Sequence, residues 1–138
     1  MKKYLLDTNL LLRFLLADHT TLSQKAEHLF QRAANRECLL ILTALGLAEA
    51  VWVLSSYYKL QRKQIADNLA KLIVRVGVQC PEQSIILDAL QRFTATNCDF
   101  YDCYLAASAV ASGTSIASFD KDFAKFADVT LWDAQREQ

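Results

Sequence analysis

The chain carries little punctuation. Its 138 residues include only 3 glycines and 1 proline. That leaves little room for linkers or low-complexity segments, and no internal repeat is present. Charge excess is absent too: 15 basic residues balance 15 acidic ones. This excludes a bulk-basic nucleic-acid binder. There are 2 histidines, and the four cysteines (Cys38, Cys80, Cys98, Cys103) form no CxxC pair. Zinc-site spacing is therefore missing, and the cysteines read as reduced core residues of a cytoplasmic protein. No stretch reaches about 18 unbroken apolar residues, so no membrane span is expected. The opening MKKYLLDTNLLLRFLLADH superficially looks like a signal peptide. Asp7, Asn9 and Arg13 interrupt its apolar run, and no small-residue cleavage site follows.

What is present is apolar mass. A hydrophobic fraction of 53% is ample for one core. The length suits one compact domain over residues 1–138. Charge is distributed unevenly. Lys59, Arg62, Lys63, Lys71 and Arg75 oppose only Asp67 between positions 57 and 75. From Cys98 onward seven acids face three bases.

KKYLL (2–6) reads as a short buried strand ending at Asp7, and LLLRFLLA as a helix. A second helix is expected from about Leu22 to Asn35, with Thr21 and Gln24 as a capping box. CLLIL (38–42) is a second strand, and Thr43 can cap the helix that follows. Further helices are expected over about 62–74 and 82–95, with VQC as a brief strand between them. Asn97 or Asp99 opens the next helix, which ends before Gly113. TSIAS (114–118) and VTLW are the last strands, and Asp120 opens a short helix between them. Continuously apolar strands alternating with helices predict an α/β domain. Its central, mainly parallel sheet is flanked by helices on both faces. Sites in such sheets form beyond the carboxyl ends of the strands, where Asp7 and Asp120 fall.

Singly, most of the acids have a structural reading as helix caps. That holds for Asp7, Asp99, Asp102, Asp120 and Asp122. Glu49 is different. It sits mid-helix in ALGLAEAVWVL, where every other residue from Ala44 to Leu54 is apolar or glycine. Either that helix has one edge at the surface, or something positive meets the carboxylate. Should the strands be adjacent, the acids converge. Two carboxylates about 4 Å apart cost roughly 4 kcal/mol at an effective dielectric near 20. Raised pKa values or a divalent cation would relieve this. An all-oxygen donor set favours Mg²⁺ or Mn²⁺ over zinc.

DTN at 7–9, AEAVWVL around Glu49, DFYDCYLAASA from 99 and SFDKDF from 118 resemble the four acidic motifs of PIN-domain ribonucleases. Within that family the chain is most similar to VapC toxins of type II toxin–antitoxin pairs. The likeness covers nearly the whole chain. It implies that Asp7, Glu49, Asp102 and Asp120 are catalytic and hold Mg²⁺ or Mn²⁺, with Asp99 and Asp122 as secondary metal acids. Asn9 and Ser118 would orient carboxylates or substrate. Ser118 stands where many relatives have threonine. YDCYLAA replaces the smaller ADALIAA of many, so packing around Tyr101, Cys103 and Tyr104 can differ.

The resemblance also implies hydrolysis of RNA phosphodiesters, an adjacent-gene antitoxin as partner, and a homodimer. An acidic site needs a basic rim to hold RNA. Arg13, Lys59, Arg62 and Lys63 are candidates, beside the bland reading of a solvated helix edge. Tyr57 or Tyr58 could stack on a base. Three other readings stand beside this one. They are a PIN-like RNA-processing nuclease without a toxin role, a non-catalytic PIN-like scaffold, and a magnesium phosphatase with Asp7 as nucleophile. Asn9 weakens the last, because that chemistry usually places a second Asp there.

Overall fold

A computed structural model of the chain describes residues 1–18 and 20–136. The chain divides into two compact units, Met1–Gln83 and Ser84–Gln138.

The first unit holds a parallel three-stranded sheet in the order β1 (Lys2–Leu5), β2 (Cys38–Ile41), β3 (Val78–Gln79). Central β2 is covered most completely: Cys38 and Leu40 are fully buried, and Leu39 and Ile41 half-buried. Strand β1 differs from the buried strand expected of KKYLL. Its two lysines are exposed, as is Leu5 at 74%. It is an edge strand, and charged residues at an edge discourage further pairing. Between the strands run α1 (Thr8–Leu16), α2 (Thr21–Ala34), α3 (Ala44–Ser56) and α4 (Arg62–Ile73). Helix α2 packs on β2, α4 on β3, and α1 on both α2 and α3. Leu11, Phe30, Leu47, Ile65 and Leu69 are among the fully buried core residues.

Local chemistry sets the boundaries. Asp7 caps α1, its Oδ2 accepting from the Asn9 amide at 3.2 Å. Thr43 caps α3 as expected, accepting from the Gly46 amide at 3.0 Å. The cap of α2 is Thr20 rather than Thr21. Its extended backbone lets its hydroxyl accept from the Ser23 amide at 3.1 Å, while Asp18 Oδ1 accepts from the same hydroxyl. Gly77 enters β3 at φ +89, where a Cβ would stand 2.3 Å from the Ala33 carbonyl oxygen. Only glycine fits that crossing.

The second unit holds α5 (Gln83–Ala95), α6 (Phe100–Ser112) and a 3₁₀ turn over Lys121–Lys125. TSIAS and VTLW do not form the expected strands. They meet in one parallel bridge, Ile116 to Leu131, with Ile116 N donating to Thr130 O and Trp132 N to Ile116 O. Thr114, Ser115 and Ala117 are exposed, so only Ile116 of that segment has a core to join. Gly113 ends α6 in the left-handed region at φ 68. All four cysteines are buried free thiols. No helix among the described residues is long and apolar enough to cross a membrane.

Candidate metal centre

The second unit carries a carboxylate cluster. Helix α6 begins at Asp99, which has the backbone of a cap but makes no capping hydrogen bond with its side chain. One turn later comes Asp102. On the segment after Ile116, the Ser118 hydroxyl accepts from the Asp120 amide at 2.9 Å. Asp120 Oδ1 in turn accepts from the Asp122 amide at 2.9 Å and opens the 3₁₀ turn. Capping and ligation are thus compatible here: the cap occupies one oxygen and fixes the rotamer, leaving the other oxygen free. Asp102, Asp120 and Asp122 each bring a carboxylate oxygen within 4.8 Å of the others'.

Electrostatics marks Asp102 among these. Burial raises its pKa above the ordinary carboxylate value, and the charges of Asp120, Asp99 and Asp122 raise it further. Lys125 approaches Asp122 Oδ1 at 3.4 Å and also donates to Asn97 Oδ1 at 2.6 Å. One partly shared, half-exposed ammonium does not balance four acids. The donor set is hard oxygen, which fits a divalent cation of the magnesium type.

The first unit carries the other two acids. Asp7 lies two residues beyond Leu5, and Thr43 two beyond its register partner Ile41, so α1 and α3 start from the same carboxyl end of the parallel strands. Between Asp7 and Asn9, the buried Thr8 donates its hydroxyl to Glu49 Oε2 at 3.0 Å. Glu49 is exposed, which is the surface-edge alternative for its helix. Leu45 at 82% and Trp52 at 66% exposure share its stripe, so α3 has an open edge. Asn9 contributes its backbone amide to Asp7. Thr8 went unnoticed in the sequence. Its signal was a β-branched hydroxyl residue in a first helical turn between two candidate site residues.

The expected basic rim divides. Arg13 lines a groove of about 370 Å³ with Asp7, Asn9, Leu10, Leu22 and Lys25. Its guanidinium is held by Asp18 at 2.6 Å. Lys63 pairs with Asp67 at 3.0 Å across one helical turn, an ordinary surface pair. Lys59 is exposed in the left-handed region at φ 55, and Arg62 begins α4 half-buried. Tyr57 and Tyr58 meet edge to face at 4.9 Å.

The PIN domain family profile matches residues 4–129. The chain belongs to the PIN domain family. No curated protein matches it. The matched span runs through both units and contains Asp7, Glu49, Asp99, Asp102, Asp120 and Asp122. PIN domains are generally nucleases that act on RNA and usually use divalent metal ions, and this PIN chain carries an acidic cluster of suitable chemistry.

Proposed function

We propose that this PIN chain is an Mg²⁺- or Mn²⁺-dependent endoribonuclease, and that its two units form one PIN domain. In this reading Asp7 and Glu49 join Asp102 and Asp120 in one catalytic centre, with Asp99 and Asp122 as supporting acids. The observation that carries it is the mutual approach of Asp102, Asp120 and Asp122 within 4.8 Å. Four like charges concentrated on one short α6–turn region are costly without a cation. The family match through both units supports drawing Asp7 and Glu49 into the same centre.

A bound divalent cation would make a water more acidic and neutralise charge on the phosphoryl group. The chain's own residues do the rest. Asp102, Asp120 and Asp122 would hold the ion. Asp7 and Glu49, fixed by the Asn9 amide and the Thr8 hydroxyl, would complete the oxygen shell and orient the attacking water. In-line attack would leave a 5′-phosphate and a 3′-hydroxyl. The buried Cys103 thiol is no nucleophile in this scheme.

We further propose that it is the toxin of a type II toxin–antitoxin pair, acting in the cytoplasm as a homodimer with a cognate antitoxin. The buried free thiols suit a reducing compartment. Exposed Leu45, Trp52 and Tyr57 suit a surface that a protein partner covers. Induced expression with end-mapping of cellular RNA tests the whole reading. The expected result is growth arrest, with new 5′-phosphate ends that Asp7→Asn abolishes and an adjacent small gene suppresses. Cleavage without arrest would move the chain to RNA processing. No metal-dependent cleavage would overturn the nuclease reading.

A further inference from the structure

Phe119 is the residue immediately before Asp120, and it is 91% exposed. A phenylalanine that open serves no core. One aromatic neighbour steadies it: Trp132, with ring centroids 5.7 Å apart at 72°. Trp132 is itself held in place, because its amide donates to the Ile116 carbonyl at 2.8 Å beside the Ile116–Leu131 bridge. The final bridge of the chain thus fastens an indole against the residue that precedes a candidate metal acid. On the other side of Asp120, Lys121 is exposed and makes no ion pair among the described residues. An open aromatic and an uncommitted cation therefore bracket one carboxylate.

Single-stranded nucleic acid is held by that combination: bases stack on aromatic faces while cations take the phosphates. We propose that Phe119, buttressed by Trp132, stacks a nucleobase of single-stranded RNA next to the carboxylate cluster, with Lys121 on an adjacent phosphate. This rests on the ribonuclease reading and adds to it a positioning surface built from Phe119, Trp132 and Lys121. Trp132 lies beyond the residues the PIN profile matches. A duplex cannot offer a free base face, so paired RNA binds poorly there.

The chain's two tryptophans allow a direct readout. In a Trp52→Phe background, Trp132 is the only indole. Titration with a short oligouridylate in calcium buffer should quench its emission, and the matching duplex should not. Phe119→Ala should weaken binding roughly 5- to 100-fold, as expected for loss of one stacked base. Phe119→Tyr should retain binding, and Phe119→Leu, equally apolar but not aromatic, should not. Unchanged emission with RNA, or full binding by Phe119→Leu, overturns the proposal and leaves this face to a protein partner. Cleavage by the parent protein in Mn²⁺ is measured in parallel. Cleavage without quenching sinks the platform alone. Quenching without cleavage sinks the nuclease reading and leaves the platform standing.

Discussion

The Thr8 hydroxyl reaches Glu49 Oε2 at 3.0 Å, across 41 residues of sequence. That bond ties the first turn of α1 to the middle of α3. It sets the rotamer of an acid that would otherwise swing freely in solvent. Because Glu49 is exposed, losing the bond should cost little stability, below about 1 kcal/mol. Orientation is another matter, since small misplacements at a reacting centre slow it strongly. Thr8→Val should cut kcat of RNA cleavage by roughly tenfold or more with nearly unchanged Tm, and Thr8→Ser should restore most of it. A matching large fall in Tm would make Thr8 a packing residue only.

The raised pKa of Asp102 fixes a sign for pH and metal. Its folded carboxyl binds a proton more tightly than the unfolded one, through burial first and the charges of Asp120, Asp99 and Asp122 next. Ionisation therefore opposes folding. The associated stability is full below the ordinary carboxylate range and is lost as pH rises through the raised value. In EDTA, Asp102→Asn should melt no lower than the parent at neutral pH. Mn²⁺ or Mg²⁺ at millimolar concentration should raise the parent's Tm, since the ion binds the folded state. That shift should shrink strongly in Asp102→Asn. Calorimetry with and without EDTA reads all three, and a parent Tm indifferent to both ions would count against the site.

Much of this was legible in the chain itself, for identifiable reasons. The α/β order could be read because strand runs such as CLLI are short and continuously apolar, and because Thr43 and Gly113 mark helix ends where the structure has them. The burial of α3 could not be read. That helix is apolar on every side apart from Glu49, so periodicity could not separate its covered face from the open stripe of Leu45, Glu49 and Trp52. The strands expected at 114–118 and in VTLW shrank to a bridge for a related reason. Local propensity favoured extension, but only Ile116 found burial. Among the acids, Asp102, Asp120 and Asp122 are metal ligands by the resemblance to PIN ribonucleases, and the fold of the second unit brings them together. Thr8 escaped because its partner is distant in sequence, and no local rule joins positions 8 and 49.

Arg92 anchors the segment that follows the 3₁₀ turn. Its guanidinium donates to Asp88 on its own helix and to Asp128 Oδ1 and Oδ2 at 2.8 and 2.6 Å, and it lies 5.6 Å from the Phe126 ring centroid. Its side chain is only 13% exposed while Asp88 and Asp128 are 37% and 53% exposed, so removing it costs two hydrogen-bonded ion pairs at the surface and its packing on Phe126. Arg92→Met should lower stability by about 1–3 kcal/mol at neutral pH, read by urea titration. The Arg92 hydrogen bond holds the Asp128 carboxyl below the usual carboxylate range. Its contribution is present above that range and fades as pH falls through the lowered value. The gap between variant and parent should therefore close in strong acid. A gap constant with pH would assign the loss to packing on Phe126.

Asp7 offers the sharpest separation of cap from catalyst. Its Oδ2 accepts from the Asn9 amide, and an asparagine oxygen can accept the same bond, so Asp7→Asn keeps the cap and removes the charge. Alanine removes both. The metal-free Tm of Asp7→Asn should therefore equal or exceed the parent's, while Asp7→Ala should lose about 1 kcal/mol. RNA cleavage should vanish in both variants, because neither supplies the negative charge that the carboxylate brings to a divalent cation. A purely structural Asp7 gives the opposite pattern: Asp7→Asn stays active, and activity in Asp7→Ala falls only in step with its stability. Measuring cleavage and melting on the two variants together decides between these, since no single role of Asp7 yields both outcomes.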